Sequence, residues 1–219
     1  VNPAGLGAND CVRISGGSTR LFGQPELTQV SFEADISRIG LYAGTFGGSL
    51  YRESVFGIGL GSTVEGLGVG LSLSVMNVSI EGYGSSNAVG LNAGAGGSIG
   101  SSLGVAVLAR NLNLPTIGAC EDDLPVDLEC GLAAMPWQTL LVCLSIRMEH
   151  GPGPSVSGGF EFDLDNSLFL RAGSNLTSRE FACGLGLELN GLVFDYGLSA
   201  HDPLGLTQGI SVCYTVSRR

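Results

Sequence analysis

Lysine is absent from this 219-residue chain, and charged residues of every kind make up only 14% of it. Without a lysine there is no phosphate-cradling loop of the P-loop kind, so glycine runs such as Gly94-Ala95-Gly96-Gly97 need another explanation. Histidine is scarce, with His150 and His201 alone, and no CxxC or CxxCH spacing occurs among the six cysteines. Metal centres and haem attachment are therefore unsupported, and no cofactor is expected. No segment approaches the roughly 18 to 20 apolar residues of a membrane-spanning helix, although the mean hydropathy is +0.33. Helical periodicity is missing as well, so the apolar character is spread over short segments.

The balance of Asp+Glu 20 against Lys+Arg 10 argues against a nucleic-acid partner. The opening Val1-Asn2-Pro3-Ala4-Gly5-Leu6 has neither a basic nor an apolar leader region, so any signal peptide is expected to have been removed. Cys11, Cys120, Cys130, Cys143, Cys183 and Cys213 are dispersed, as free thiols or one or two structural disulfides would be. Glu121-Asp122-Asp123 with Asp127 lacks the spacing of a calcium loop and reads as an exposed acidic loop, which a Cys120 to Cys130 bridge would close.

What the chain does have is a period of two, the spacing that sends neighbouring side chains to opposite faces of a strand. Leu67, Val69, Leu71, Leu73 and Val75 alternate with Gly68, Gly70, Ser72 and Ser74; Leu140, Val142, Leu144, Ile146 and Met148 alternate with residues that include Cys143, Ser145, Arg147 and Glu149. The pattern predicts strands near 11–15, 28–37, 38–46, 51–61, 66–78, 86–97, 101–111, 124–134, 138–149, 154–164, 167–174, 178–189, 191–200 and 206–216. A soluble sandwich would alternate too, but here long and short connections also alternate, as they do in barrels that cross a membrane. Many segments approach the roughly 9 to 11 residues that span a tilted bilayer crossing. The expectation is an all-β fold over 1–219 as one domain: a closed antiparallel transmembrane β-barrel of about fourteen strands, both termini on the periplasmic side.

In such a barrel the apolar face looks out at lipid and the polar or glycine face looks in. That places Glu33, Asp35, Arg147, Glu161, Asp163, Arg171 and Asp195 in the lumen, along with Arg13, Asp127, Glu129, Glu149 and Glu188. Their mixed signs suit pairing across the lumen. Gly90, Gly94, Gly96 and Gly97 would leave room for either an empty channel or a segment folded inside against the wall.

Asn2, Pro3, Ala4 and Gly5, followed by Leu6, match the NPAGL motif of FadL-like outer-membrane barrels and their PorV/PorQ relatives. The closing stretch resembles the end of PorV/PorQ-like barrels: Gly159-Phe160-Glu161-Phe162, Leu168-Phe169-Leu170-Arg171-Ala172-Gly173, Gly184-Leu185-Gly186-Leu187, Phe194-Asp195-Tyr196-Gly197, His201, Leu204-Gly205 and Gln208-Gly209-Ile210-Ser211. Ala109-Arg110-Asn111-Leu112, Leu124-Pro125 and Gly131-Leu132-Ala133 are similar to the family's middle segment. The resemblance implies a fourteen-stranded barrel among relatives that include channels for hydrophobic substrates and a type IX secretion component. Two departures stand out. The motif lies further into the relatives' mature chains, so a leading piece is expected to be missing, which puts a plug in doubt. The end is also atypical, since Tyr214 is followed by Val216-Ser217-Arg218-Arg219 rather than closing on an aromatic residue.

No catalytic constellation emerges: His150 and His201 fall in expected external loops, and His201-Asp202 has no serine at a telling spacing. The chain therefore reads as a non-enzymatic barrel of the bacterial outer membrane, either moving hydrophobic compounds or presenting its rim to secreted proteins. Its expected partners are the lipid bilayer and other envelope or secreted proteins. The rival reading is a structural barrel subunit of a larger envelope or surface assembly without transport activity.

Overall fold

The computed structural model describes residues 2–8, 11–118, 122–149 and 153–217. Fourteen antiparallel strands close into a barrel, and a further pair forms a small separate hairpin. In chain order the strands are β1 (Cys11–Arg20), β2 (Thr28–Ile36), β3 (Ile39–Gly47), β4 (Tyr51–Val64), β5 (Leu67–Ile80), β6 (Gly84–Ile99), β7 (Leu103–Arg110), β8 (Thr116–Ile117), β9 (Asp122–Asp123), β10 (Asp127–Trp137), β11 (Leu140–Met148), β12 (Ser155–Asp163), β13 (Leu168–Asn175), β14 (Glu180–Leu189), β15 (Leu192–His201) and β16 (Gly205–Ser217). Each barrel strand pairs with its neighbours in the chain, β7 pairs with β10, and β1 closes onto β16 from Cys11 opposite Ser217 to Arg20 opposite Gln208.

Turns explain why one rim is tight. Glu65-Gly66 and Asn190-Gly191 join their strands with both residues at positive φ, 51° and 84° in the first and 51° and 81° in the second, as two-residue turns matched to strand twist require. Both termini of the barrel lie at this tight rim; the opposite, wide rim carries the longer connections.

The packing is inverted relative to a water-soluble protein. Leu71 and Leu73 are 58% and 52% exposed, whereas Ser72 and Ser74 beside them are 7% and 4% exposed. Val142 and Phe194 also stand on the exterior. Among the described residues of the barrel strands, Arg20 and Arg52 alone carry charge outward, each near a strand end at the wide rim. An exterior of this composition suits hydrocarbon, and closing the sheet leaves no long edge of unpaired peptide groups.

One stretch of edge does arise, because β7 stops at Arg110 while β6 continues to Gly84. Asn113 covers it: its side chain accepts from the Leu91 amide and donates to the Val89 carbonyl, both at 2.8 Å, while the Leu112 amide donates to the Leu91 carbonyl at 2.9 Å.

The driest packing is inside, where residues Pro3–Ala8 form a 3-10 turn lying against β4, β5 and β6. Asn2 starts it, its Oδ1 accepting from the Ala4 amide at 3.0 Å and its Nδ2 donating to the Val107 carbonyl at 3.2 Å. Pro3 at the first position of the turn has no amide to lose. Ala4 and Leu6 are each 4% exposed. The seat is made of glycine: a Cβ on Gly68 would come 2.6 Å from the Ala4 carbonyl oxygen, one on Gly40 would come 2.8 Å from Leu6, and Gly70 and Gly94 abut Pro3 and Asn2. A Cβ on Gly5 would meet nothing within 4 Å; its amide donates to the Asn2 carbonyl at 3.2 Å, while Asn2, Pro3, Ala4 and Leu6 make the contacts with the seat.

Several sequence expectations change. Strand β1 runs to Arg20 instead of ending at residue 15, because Ser15-Gly16-Gly17-Ser18-Thr19 pairs on both sides despite offering no apolar residue. Gly90, Gly94 and Gly96 face the lumen, but Gly97 faces outward opposite Leu67. Disulfides do not form among the described residues: Cys11, Cys130, Cys143, Cys183 and Cys213 are free thiols, and Cys130 sits outward on β10 between Val107 and Ile146. Cys120, Glu121 and His150 lie outside the described residues. His201 is the last residue of β15 and not a loop residue, with its ring 5.9 Å from that of Phe22.

Leu71→Arg places a cation in the hydrocarbon and is expected to cost about 2 to 4 kcal/mol, read as a shift of the urea midpoint of the protein folded in vesicles. Gly70→Val suits a strand but fills the seat of Pro3, so the N-terminal segment should become sensitive to added protease while the barrel keeps its heat-dependent gel mobility.

Candidate functional site in the barrel lumen

Along its inward face β5 crosses three layers. Gly68 and Gly70 carry the N-terminal segment; Ser72 and Ser74 form a polar belt; Met76, Val78 and Ile80 are apolar. The belt is tied together by Asn92, whose Nδ2 donates to Ser72 Oγ at 3.2 Å and to Ser74 Oγ at 3.5 Å and whose Oδ1 accepts from the Asn111 amide at 3.1 Å. All three side chains of the belt are buried, and their mutual hydrogen bonds offset the cost of removing them from water.

Above the belt the two faces of the wall exchange character. The last apolar outward row runs Ala43, Phe56, Val75, Val89; the next runs Thr45, Ser54, Asn77, Asn87, followed by Gly47, Arg52, Ser79, Ser85. Asn77 donates to the Asn87 Oδ1 at 2.8 Å on this outer face. At the same height the inward rows are Gly44, Val55, Met76, Ala88 and then Phe46, Glu53, Val78, Ser86. Polar outside and apolar inside is the arrangement for water on the exterior, so β3 to β6 project past the apolar belt.

The projecting wall encloses a cavity of about 930 Å³ at the wide rim, lined by Phe46, Tyr51, Val55, Met76, Val78 and Ile80, with Glu53 among them. The β8–β9 hairpin closes over it, contributing Ile117 and Asp122, and is pinned where the Gly118 amide donates to Ser86 Oγ at 2.8 Å. Tyr51 donates its hydroxyl to Glu53 Oε1 at 2.5 Å. Concave and mostly apolar, with a few polar groups that include Glu53, Asp122, Gln29 and Ser86, this is the form of a small-molecule site.

The opposite wall is charged. Asp127, with a side chain 7% exposed, receives Arg110 Nη1 at 2.5 Å and Arg147 Nε at 3.0 Å; Glu129 holds the other end of Arg110 at 3.0 Å, and Glu149 holds Arg147 at 2.6 Å. Arg171 is gripped by Glu161 at 2.6 Å and by Asp195, lies 5.8 Å from the Phe169 ring, and Ser211 donates to the same Asp195 at 3.3 Å. A smaller recess of about 360 Å³ lies beside this second cluster, over bare wall at Gly173, Gly184, Gly197 and Gly209.

The residues singled out from sequence thus divide. Arg147 joins the first cluster, and Glu161, Arg171 and Asp195 form the second. Glu33 and Asp35 face inward on β2, Asp35 beside Gly40 and near Leu6. Asp163 instead caps the turn that follows β12, accepting from the amides of Asp165 and Asn166 at 3.1 and 2.6 Å. The cavity residues were not singled out, though a signal exists: polar and apolar positions trade parity at Val75-Met76, where Asn77 and Ser79 take the outward places.

No protein-family model matches the chain, and no curated protein matches it in sequence. Solved structures do match in fold. The toluene transporter TbuX of Ralstonia pickettii aligns with a TM-score of 0.63 at 12% identity, covering 100% of this chain and 92% of that one. The Pseudomonas putida toluene transporter TodX gives 0.60 at 12% identity, with 98% and 91% covered. The KdgM porin gives 0.54 at 7% identity, with 93% and 98% covered. At these identities the likeness is one of fold: a closed antiparallel barrel of fourteen strands, similar to bacterial outer-membrane transporters and porins.

Proposed function

We propose that this chain is a bacterial outer-membrane barrel that admits apolar small molecules through its lumen, with the wide rim outside the cell and the tight rim and both termini in the periplasm. The observation that carries this reading is the apolar cavity behind the projecting wall, set above the polar belt and the seated N-terminal segment. A molecule poorly soluble in water gains by leaving it for such a surface, at about 25 cal/mol per Å² of apolar area buried. Apolar residues turned inward at the one height where the outer face is polar serve no lipid contact, so their place in the lumen has a use of its own. The fold shared with two toluene transporters agrees with this reading.

A secretion-associated barrel of the PorV type is the second reading. It is favoured by the tip of the same wall, where Leu50 and Tyr83 are 69% and 89% exposed and offer apolar contact to a passing protein.

Val55→Trp separates the two. It fills the cavity from the middle of the inward face and leaves the exterior untouched. With folding checked by heat-dependent gel mobility, uptake of radiolabelled toluene by cells expressing the variant should fall to that of cells without the barrel. Uptake at the level of the unchanged protein would overturn the transport reading and favour the secretion one.

A further inference from the structure

We propose that the cavity at the wide rim selects apolar ligands bearing a protonated amine over those bearing a carboxylate, and that Glu53 is the residue that reads the charge. This deepens the uptake reading above and rests on it.

Among the described residues the lining contains two acids, Glu53 and Asp122, and no base. Glu53 sits between Phe46 and Val78 in the inward row, so a ligand lying on those apolar side chains brings its polar end to the carboxylate. Tyr51 occupies Oε1 and fixes the group; Oε2 has no partner among the described residues. An ammonium group entering the cavity therefore meets an oriented acceptor. A carboxylate entering it gives up water and meets two like charges, which is the costly case.

Among the described residues nothing nearby corrects this sign. Arg52, next in the chain, faces outward at the opposite side of the wall. Of the arginines that face the lumen, Arg110, Arg147 and Arg171 are each held by two carboxylates. Arg13 stands near the tight rim, opposite Asp35 and Thr215, beyond the seated N-terminal segment. Carboxylates outnumber arginines on the inward face, so the lumen is net negative and raises the local concentration of cations before contact; the approach favours the same ligand as the pocket.

Benzylamine, benzyl alcohol and benzoate share one ring and differ in the polar group. Their binding to the full chain in nanodiscs of zwitterionic lipid can be measured by saturation-transfer NMR, with empty nanodiscs as reference. Benzylamine should bind more tightly than benzoate by about fivefold, the upper range for an exposed ion pair, with benzyl alcohol between. Glu53→Gln still accepts the Tyr51 hydrogen bond, and it should bring the amine-to-carboxylate ratio close to one. A ratio unchanged in Glu53→Gln, while Val55→Trp abolishes binding of all three, overturns the charge selection and leaves the cavity standing. Binding of all three that survives Val55→Trp removes the cavity reading itself.

Discussion

A chain immersed in hydrocarbon has no water to satisfy its peptide groups, and the closed hydrogen-bond ladder from β1 round to β16 is the constraint from which the remaining features descend. Once the backbone is satisfied within the wall, side chains need only match the medium on each side. Leucine and phenylalanine can face outward, and small or charged residues inward, without a hydrophobic core in the usual sense. Where the ladder is incomplete, beside the upper part of β6, a side-chain amide supplies what a strand would have supplied.

The medium changes with height, and the sequence follows it. Below the row Ala43, Phe56, Val75, Val89 the wall is built for lipid; above it the same strands are built for water, with their apolar residues turned in. The cavity lies at the height of that exchange, where the apolar side chains of β3 to β5 line the concave side. Its floor is the belt of Ser72, Ser74 and Asn92, and beneath that lies the N-terminal turn seated on glycine. The lumen is thus layered from apolar through neutral polar to packed, while the charged clusters on β7 and β10 to β15 brace the other side.

The strands and the inward direction of their charges were legible because a period of two is a local property of the chain. Pairing was less so. Asp127 was readable as an inward residue, but its place between Arg110 and Arg147 depends on the registers of β7, β10 and β11 together. The second half of β1 was invisible because glycine and serine show no alternation, and it is held by neighbours distant in sequence. The N-terminal turn carried a motif but no periodicity, and the glycines that receive it come from β3, β5 and β6. The cavity had its signal in the change of phase at Val75-Met76, which in isolation reads only as the fraying end of a strand.

The glycine seat and the apolar exterior also differ in how much sequence change they tolerate. Lipid tails conform to any shape, so an outward position asks for apolarity and accepts leucine, valine or phenylalanine alike. The seat leaves no such latitude, because a single added carbon at Gly68 or Gly70 enters space already held by the backbone of Ala4 or Pro3. Drift should therefore run freely over most of the surface and stall at a few interior points, which is how barrels of one architecture come to share so little of their text.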